Sequence, residues 1–424
     1  MSLTPVQRAW AVLWAAFASF CLLTYGVASG VPWFLQNATA ELRLELGGSD
    51  TQFQRPGLNI LEVINGPPVT LPVGSIILTD LNAQANLQIV APNGDGTLAT
   101  VQIYGDSRVQ VQAAHRPRFP EYSNLPYHIR LRVERGRIRV LSANGLPRPV
   151  NIEVHSAPNV LTVLDQPGSN ASIESSFLRT TVSVRESQAA VTTPLSGTLT
   201  LRSEQRADVT DSGAIIGPLP TERNLIVDGT FERPLGEVWK VEQRADSGRP
   251  LGEVRIQTVE GRRSINFSRA DNSWGQVSLT QELNVDVRDF TSLRLQLDVY
   301  LTSQSLFNCG ALGTECPVMV KIRYLDFNGS EQGWLQGYFD RGRLIESQGQ
   351  FGLFTCPSCS EITEQHIPIE TGQWLTLEAP RNGNLLALMR ERGIPAALLR
   401  SITIYAAGHQ FNSNVAQIQL LASD

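Results

Sequence analysis

Beyond about residue 40 the chain alternates apolar and polar positions in short runs broken by Gly, Pro, Asn and Asp. This is the period-two rhythm of half-buried antiparallel strands. The clearest runs are 86–90 (NLQIV), 100–104 (TVQIY), 108–112 (RVQVQ), 129–133 (IRLRV) and 137–141 (RIRVL). A second group follows at 160–164, 181–184, 189–191 and 198–201, and a third at 264–267, 276–279, 292–301, 318–324 and 401–405. Between the second and third groups, residues 216–223 (IGPLPTER) interrupt the alternation with two Pro and one Gly, as a linker does. Only 385–392 shows helical spacing in this part, with Leu385, Leu388 and Met389 recurring on one face. The expected fold class is all-β.

The front of the chain breaks this rhythm. No residue from Ala9 to Ala40 is charged, and 9–35 is apolar over a length that crosses a bilayer as a helix. Trp10 and Trp14 near one end and Trp33 and Phe34 near the other suit the two headgroup zones. Arg8 is the only charged side chain before the run and favours an inside N-terminus. The expectation is a single-pass anchor with a short cytoplasmic tail at 1–8 and the bulk of the chain extracytoplasmic, at the cell membrane. A cleaved signal peptide is the competing reading, because Val27-Ala28-Ser29 offers small residues of the kind a peptidase accepts.

A chain of 424 residues exceeds what one core organises, so several domains are expected. Charged residues are 18% of the total and the formal net charge is −5, which leaves no basic footprint for nucleic acid. Five arginines, at 130, 132, 135, 137 and 139, form a local run. Their alternation with Leu, Val and Ile places them on the solvent side of strands around a turn at Gly136 rather than in an anion site. Cys21 lies in the apolar run, while Cys309, Cys316, Cys356 and Cys359 form two local pairs. An even number of extracytoplasmic cysteines points to disulfides, with Cys309–Cys316 and Cys356–Cys359 as the favoured pairing. A zinc site and a redox dithiol at the C-x-x-C spacing of 356–359 are the alternatives.

Gly74-Ser-Ile-Ile-Leu-Thr79, the alternating Ala83, Ala85, Leu87 and Ile89, the ladder residues Val109 and Val111, and Glu134-Arg-Gly-Arg-Ile-Arg-Val140 occur in this order. Together they resemble the extracytoplasmic FecR-type domain of ferric-citrate sensors. The resemblance runs over 57–215 and implies a β-sandwich or solenoid-like domain, with Ser187 and Glu204 at two turns where the family has glycine. It does not imply sigma-factor control, since residues 1–8 are too few to hold such a partner. Asn224-Leu-Ile-Val-Asp-Gly-Thr-Phe-Glu232, followed by Trp239, resembles the opening of galactose-binding-like jelly rolls found as carbohydrate-binding modules. That similarity covers 224–424. It implies a C-terminal jelly-roll sandwich and a structural calcium near the opening Glu, for which Asp228 and Glu232 are the candidate ligands.

Flat aromatic faces stack on sugar rings, and Trp274, Trp334, Tyr338 and Trp374 are the candidate ligand-binding residues, each of which the core also competes for. Trp334 stands out because Gln332, Gly333, Gln336 and Gly337 surround it. No nucleophile elbow, phosphate loop, dinucleotide fingerprint or zinc-protease helix occurs, so a non-enzymatic binding protein is expected. Its expected partner is an envelope or extracellular polysaccharide. The alternative is an envelope signalling or scaffold protein that meets other envelope proteins through the FecR-like domain.

Overall fold

The alternating runs become strands in a computed structural model of the chain, which describes residues 4–91, 96–177, 179–305, 309, 316–342, 361–363, 365–380 and 383–424. The protein is mostly β, with one long apolar helix at its front. It divides into two units, Met1–Pro220 and Thr221–Asp424.

The first unit opens with helix α1, Pro5–Asn37. Thr4 caps it: its side chain accepts from the Gln7 amide while the Gln7 side chain accepts from the Thr4 amide, and Pro5 occupies the first turn, where no N–H partner is needed. The rest of the unit is one continuous sixteen-stranded sheet. Its pairing register carries the sequence alternation across strands. Leu46, Leu87, Val101, Val140, Ala171 and Val184 stand opposite one another in a row spanning six strands, and each is fully buried. A one-residue slip in any of these pairs would turn that row to solvent, which fixes the register.

The strand Tyr127–Ser142 serves two neighbourhoods. Its first half pairs with Arg108–Pro117 and, in parallel, with Val150–Ser156; its second half pairs with Thr97–Ile103 and Asn170–Ser175. The change falls at Gly136, which has φ +91° and where an added Cβ would lie 2.5 Å from the Ser107 Cα. Only glycine fits there. The kink corrects the reading of the arginine run. Arg132 and Arg135 are exposed, but Arg137 and Arg139 are buried, the former 5.9 Å from the Tyr104 ring. At the two turns where the FecR-type pattern has glycine, Ser187 and Glu204 adopt φ of 68° and 62°, so the left-handed turn is kept without the residue that favours it.

The division between the two units, at Pro220/Thr221, falls within 216–223, but most of these residues lie in strands. Ile215–Pro220 is a strand on Gln205–Thr210, with Gly217 and Pro218 falling in the register shift between Ile216 and Leu219. Proline is tolerated there because this strand is the sheet's edge, where a missing N–H costs no ladder bond. The strand Arg43–Gln54, ahead of the FecR-like stretch, belongs to the same sheet and pairs along its length with Ile76–Val90.

The second unit is two sheets over a shared core. One contains Glu253–Val259, Arg262–Arg269, Phe411–Ser423, Ser292–Gln304 and Trp374–Ala379, with Arg223–Asn224 added to Phe411–Ser423. The other contains Lys240–Ala245, Gly275–Asp286, Ala396–Gly408, Val318–Asp326 and Glu331–Asp340, plus short parallel additions at Ile362–Thr363 and Ile367–Ile369. Helix α2, Leu385–Glu391, is capped by the Asn384 side chain.

The opening motif is a fold device. Asn224 Oδ1 accepts from the amides of Ile226 (3.1 Å) and Leu420 (2.9 Å), tying the unit's first strand to its last. Gly229 lies so close to that strand that a Cβ would sit 2.1 Å from the Ile418 carbonyl oxygen. Phe231 and Trp239 are buried together with ring centroids 5.7 Å apart, and the Trp239 indole donates to the Asp228 carbonyl at 3.1 Å.

Candidate functional site

In the strand Ser292–Gln304, Leu293, Leu295, Leu297, Val299 and Leu301 point into the core, so Arg294, Gln296, Asp298 and Tyr300 point outward. The strand pairings extend this outward face into a row of Arg255, Asn266, Asn414, Tyr300 and Trp374, one residue from each of five strands. Beside it runs a second row of Glu253, Ser268, Asn412 and Ser303. Side-chain amides and hydroxyls therefore occupy the middle of the sheet, and two aromatic rings occupy one side.

The amides form a ladder. Gln257 donates to Asn414 Oδ1 at 2.6 Å, and Asn266 Nδ2 reaches Asn412 Oδ1 at 2.8 Å and Asn414 Oδ1 at 3.1 Å. Asn266 and Asn414 are buried although they lie on the outward face, and Asn266 Oδ1 has no hydrogen-bond partner. Both side chains are closed to solvent, so the half-exposed Gln257 and Asn412 are the members that bring the ladder to the surface. At the aromatic side, the Trp374 and Tyr300 rings are 5.4 Å apart at 57°, the Arg262 guanidinium lies 5.5 Å from the Trp374 centroid, and the indole N–H donates to the Val259 carbonyl at 3.2 Å. Asp298 accepts from Thr376 at 2.6 Å and pairs with Arg262 at 3.3 Å. Both rings are half-exposed and held in fixed orientations.

The second row opens into a cleft of about 580 Å³ lined by Glu253, Ser268, Ser303, Gln410 and Asn412. Its wall is set by Arg269, whose buried guanidinium donates to the carbonyls of Asp271 (3.0 Å), His409 (3.2 Å) and Pro250 (3.3 Å). Hydrogen bonds from the Ser273 hydroxyl and amide hold the Asp271 carboxyl below the usual carboxylate range. The face thus offers fixed amides, hydroxyls and carboxylates next to a stacking surface, the combination that pairs with a hydroxyl-rich ligand.

Of the four aromatic residues picked out in the sequence, only Trp374 stands on this face. Trp274 is half-exposed just before the strand Gly275–Asp286 of the other sheet, and its carbonyl accepts from the Asp246 amide. Trp334 and Tyr338 are fully buried in the core and present no surface to a ligand. The glycines around them signal packing instead of exposure. A Cβ on Gly337 would lie 2.7 Å from each of the sulfurs of Cys309 and Cys316, and one on Gly333 would meet Glu361. The outer side of that sheet is covered by a small apolar cluster of Cys309, Cys316, Met319, Leu335, Phe339, Tyr405 and Ala407.

Cys309 and Cys316 form a disulfide with Cα atoms 4.7 Å apart. Cys356 and Cys359 lie outside the described residues. His366 joins the disulfide, with all three ligand-type atoms within 4.8 Å of one another. The Gly337 N–H donates to His366 Nδ1 at 2.9 Å, which fixes the neutral ring with its hydrogen on Nε2. A metal would need a lone pair on Nε2, so this imidazole does not fit a zinc ligand. Burial pushes its pKa down to about 4.

The residues chosen for calcium do not converge on an ion either. The Asp228 carboxylate accepts from the amides of Glu232 (2.7 Å) and Arg233 (3.2 Å), a turn cap, while the Glu232 side chain is 69% exposed with Arg263 4.0 Å away.

No protein-family model matches the chain, and no curated protein matches it significantly. Among solved structures, the chain is similar to a family 11 carbohydrate-binding module of a Clostridium thermocellum cellulosomal cellulase, at 13% identity and TM-score 0.26, covering 48% of this chain and 95% of that one. It is similar to a xylan-binding domain from Paenibacillus barcinonensis at 11% identity and TM-score 0.26, covering 48% and 96%. It is also similar to a protein assigned as an anti-sigma factor from Parabacteroides distasonis, at 15% identity and TM-score 0.24, covering 33% of this chain and 57% of that one. At these scores any functional reading rests on the side chains described above. The fold defines a mostly-β protein of two units behind one apolar helix. That helix is long and apolar enough to cross a membrane, a test that a signal sequence also passes.

Proposed function

We propose that this is a non-catalytic, membrane-held binding protein whose second unit takes up a segment of extracytoplasmic polysaccharide. The observation that carries the reading is the five-strand row of Arg255, Asn266, Asn414, Tyr300 and Trp374, contiguous with the 580 Å³ cleft. Sugar rings would stack on Trp374 and Tyr300 while their hydroxyls meet the accessible polar groups of the same face, Arg255, Gln257 and Asn412.

The test is retention of the full-length, detergent-solubilised chain on a panel of insoluble and soluble polysaccharides, beside Trp374→Ala, Tyr300→Ala and Trp274→Ala. Stacking contributes about 1 kcal/mol or more per ring, so each of the first two substitutions should weaken binding at least about fivefold. Trp274→Ala should leave it unchanged. Retention on no glycan by a folded chain, or equal loss in all three variants, overturns the reading.

A second reading has its own observation. Leu58 (46%), Ile60 (64%), Leu61 (51%) and Val63 (53%) are exposed together on and before the short edge strand Leu61–Val63 of the first unit. An apolar edge suits a protein contact in an envelope scaffold. Photocrosslinking from position 60 to a neighbouring envelope protein, abolished by Val63→Lys, would favour it.

A further inference from the structure

We propose that the loop 118–126 of the first unit is seated in the phospholipid headgroup layer of the membrane that α1 crosses, with Arg118 on lipid phosphate and Tyr122 at the interface. The inference rests on reading α1 as a membrane span and adds to it a lipid-contact surface in the folded unit.

The loop's height along the helix is fixed by direct contacts. The Ser123 hydroxyl donates to the Gln36 carbonyl at 2.5 Å, the Arg118 amide donates to the Ala38 carbonyl at 2.9 Å, and the Phe34 and Phe119 rings are 6.1 Å apart. The chain enters the sheet at once, with Ala40 opposite Arg116. Arg148 braces the loop from behind by donating to the Pro120 and Leu125 carbonyls at 2.9 Å and 2.6 Å. Slack between helix and loop is therefore small.

The depth follows from helix geometry. Trp14 and Trp33 bracket a stretch that rises roughly 29 Å at about 1.5 Å per residue, which matches the hydrocarbon thickness. With both indoles in the headgroup zones, Phe34 and the loop packed against it lie in the same zone. The chemistry there suits lipid. Trp33 (67%), Phe34 (50%) and Tyr122 (59%) are exposed aromatics at one level. Arg118 is exposed, lies 5.8 Å from the Phe119 ring, and has no carboxylate partner among the described residues. Amphipathic rings and an unpaired guanidinium are what the bilayer interface selects.

A photoreactive benzophenone side chain placed at position 33 or 122 of the full chain, reconstituted in phosphatidylcholine–phosphatidylglycerol vesicles, tests this by mass spectrometry of lipid adducts. Adducts are expected at both positions. Arg118→Glu should lower the yield at 122 about fivefold, the scale of one cation at an anionic surface, and leave the yield at 33 unchanged. Adducts at 33 without any at 122 overturn the proposal while leaving the span intact. Adducts at neither overturn both. A yield at 122 that ignores Arg118→Glu overturns the phosphate contact.

Discussion

His366 shows how one buried side chain couples fold to pH. Its imidazole is fully buried, held neutral by burial with a pKa of about 4 against an ordinary value of 6.5, and its Nδ1 takes the Gly337 N–H. Because the folded pKa is the lower one, the unfolded chain binds the proton first as pH falls. The full stability is present above about 6.5, is lost progressively between 6.5 and 4, and changes no further through this group below 4. The loss over that window is on the order of 3 kcal/mol. Urea unfolding of the second unit at pH 7 and pH 4.5 should show it, and His366→Gln should flatten the slope. A wild-type slope that survives the substitution would assign the effect elsewhere.

At the scale of elements, much of the fold was legible because a period of two writes itself directly into strand pairing. The runs at 86–90 and 137–141 fall within strands and 100–104 overruns its strand by one residue, and Leu87, Val101 and Val140 from the three share one buried row. Arg43–Gln54 was missed because Gly47, Gly48 and Asp50 read as a break, although its Leu44 and Leu46 are fully buried. The candidate site was less legible. Alternation tells which residues share a face but not which face a neighbouring segment covers, so Trp334 looked exposed beside glycines that in fact make room for a disulfide and for Glu361. Asn266 falls in the expected strand 264–267, but nothing in its spacing to Asn412 and Asn414 shows that the three share a face. Tyr300 carried a usable signal, since it is an aromatic at the polar parity of Arg294, Gln296 and Asp298. The opening motif 224–232 was recognisable in sequence, and its residues join strands and cap a turn. Asn224→Ala removes the acceptor for two amides and should cost about 1–2 kcal/mol in chemical denaturation. Gly229→Ala, which drives a methyl into the Ile418 carbonyl, should cost more, about 3 kcal/mol. The reverse order would mean that the motif's role is not the strand junction.

For the whole molecule, the question is what the helix contributes to a protein whose cores lie elsewhere. The most apolar window of α1 has none of its residues buried, and the helix meets the rest of its unit near its last turn through Phe34, Gln36 and Ala38. Its apolar surface therefore has no intramolecular cover, and the two hydrophobic cores contain no residue from it. Removing residues 1–37 should leave the thermal unfolding of the remaining chain within a few degrees of the full-length value in detergent, because only a handful of contacts at Phe119 and Ser123 are lost. The same deletion should move the protein from the membrane fraction to the soluble fraction, since a span of this length inserts far more stably than any single lipid chain. The two readouts separate the alternatives. A full-length chain that resists carbonate extraction with its N-terminal residues intact is anchored. A mature protein beginning near Gly30 has used the same apolar segment as an export signal, and the proposed polysaccharide face would then act free of the membrane. A large drop in melting temperature would show instead that the helix is a packing element of the first unit, which the absence of buried residues along it argues against.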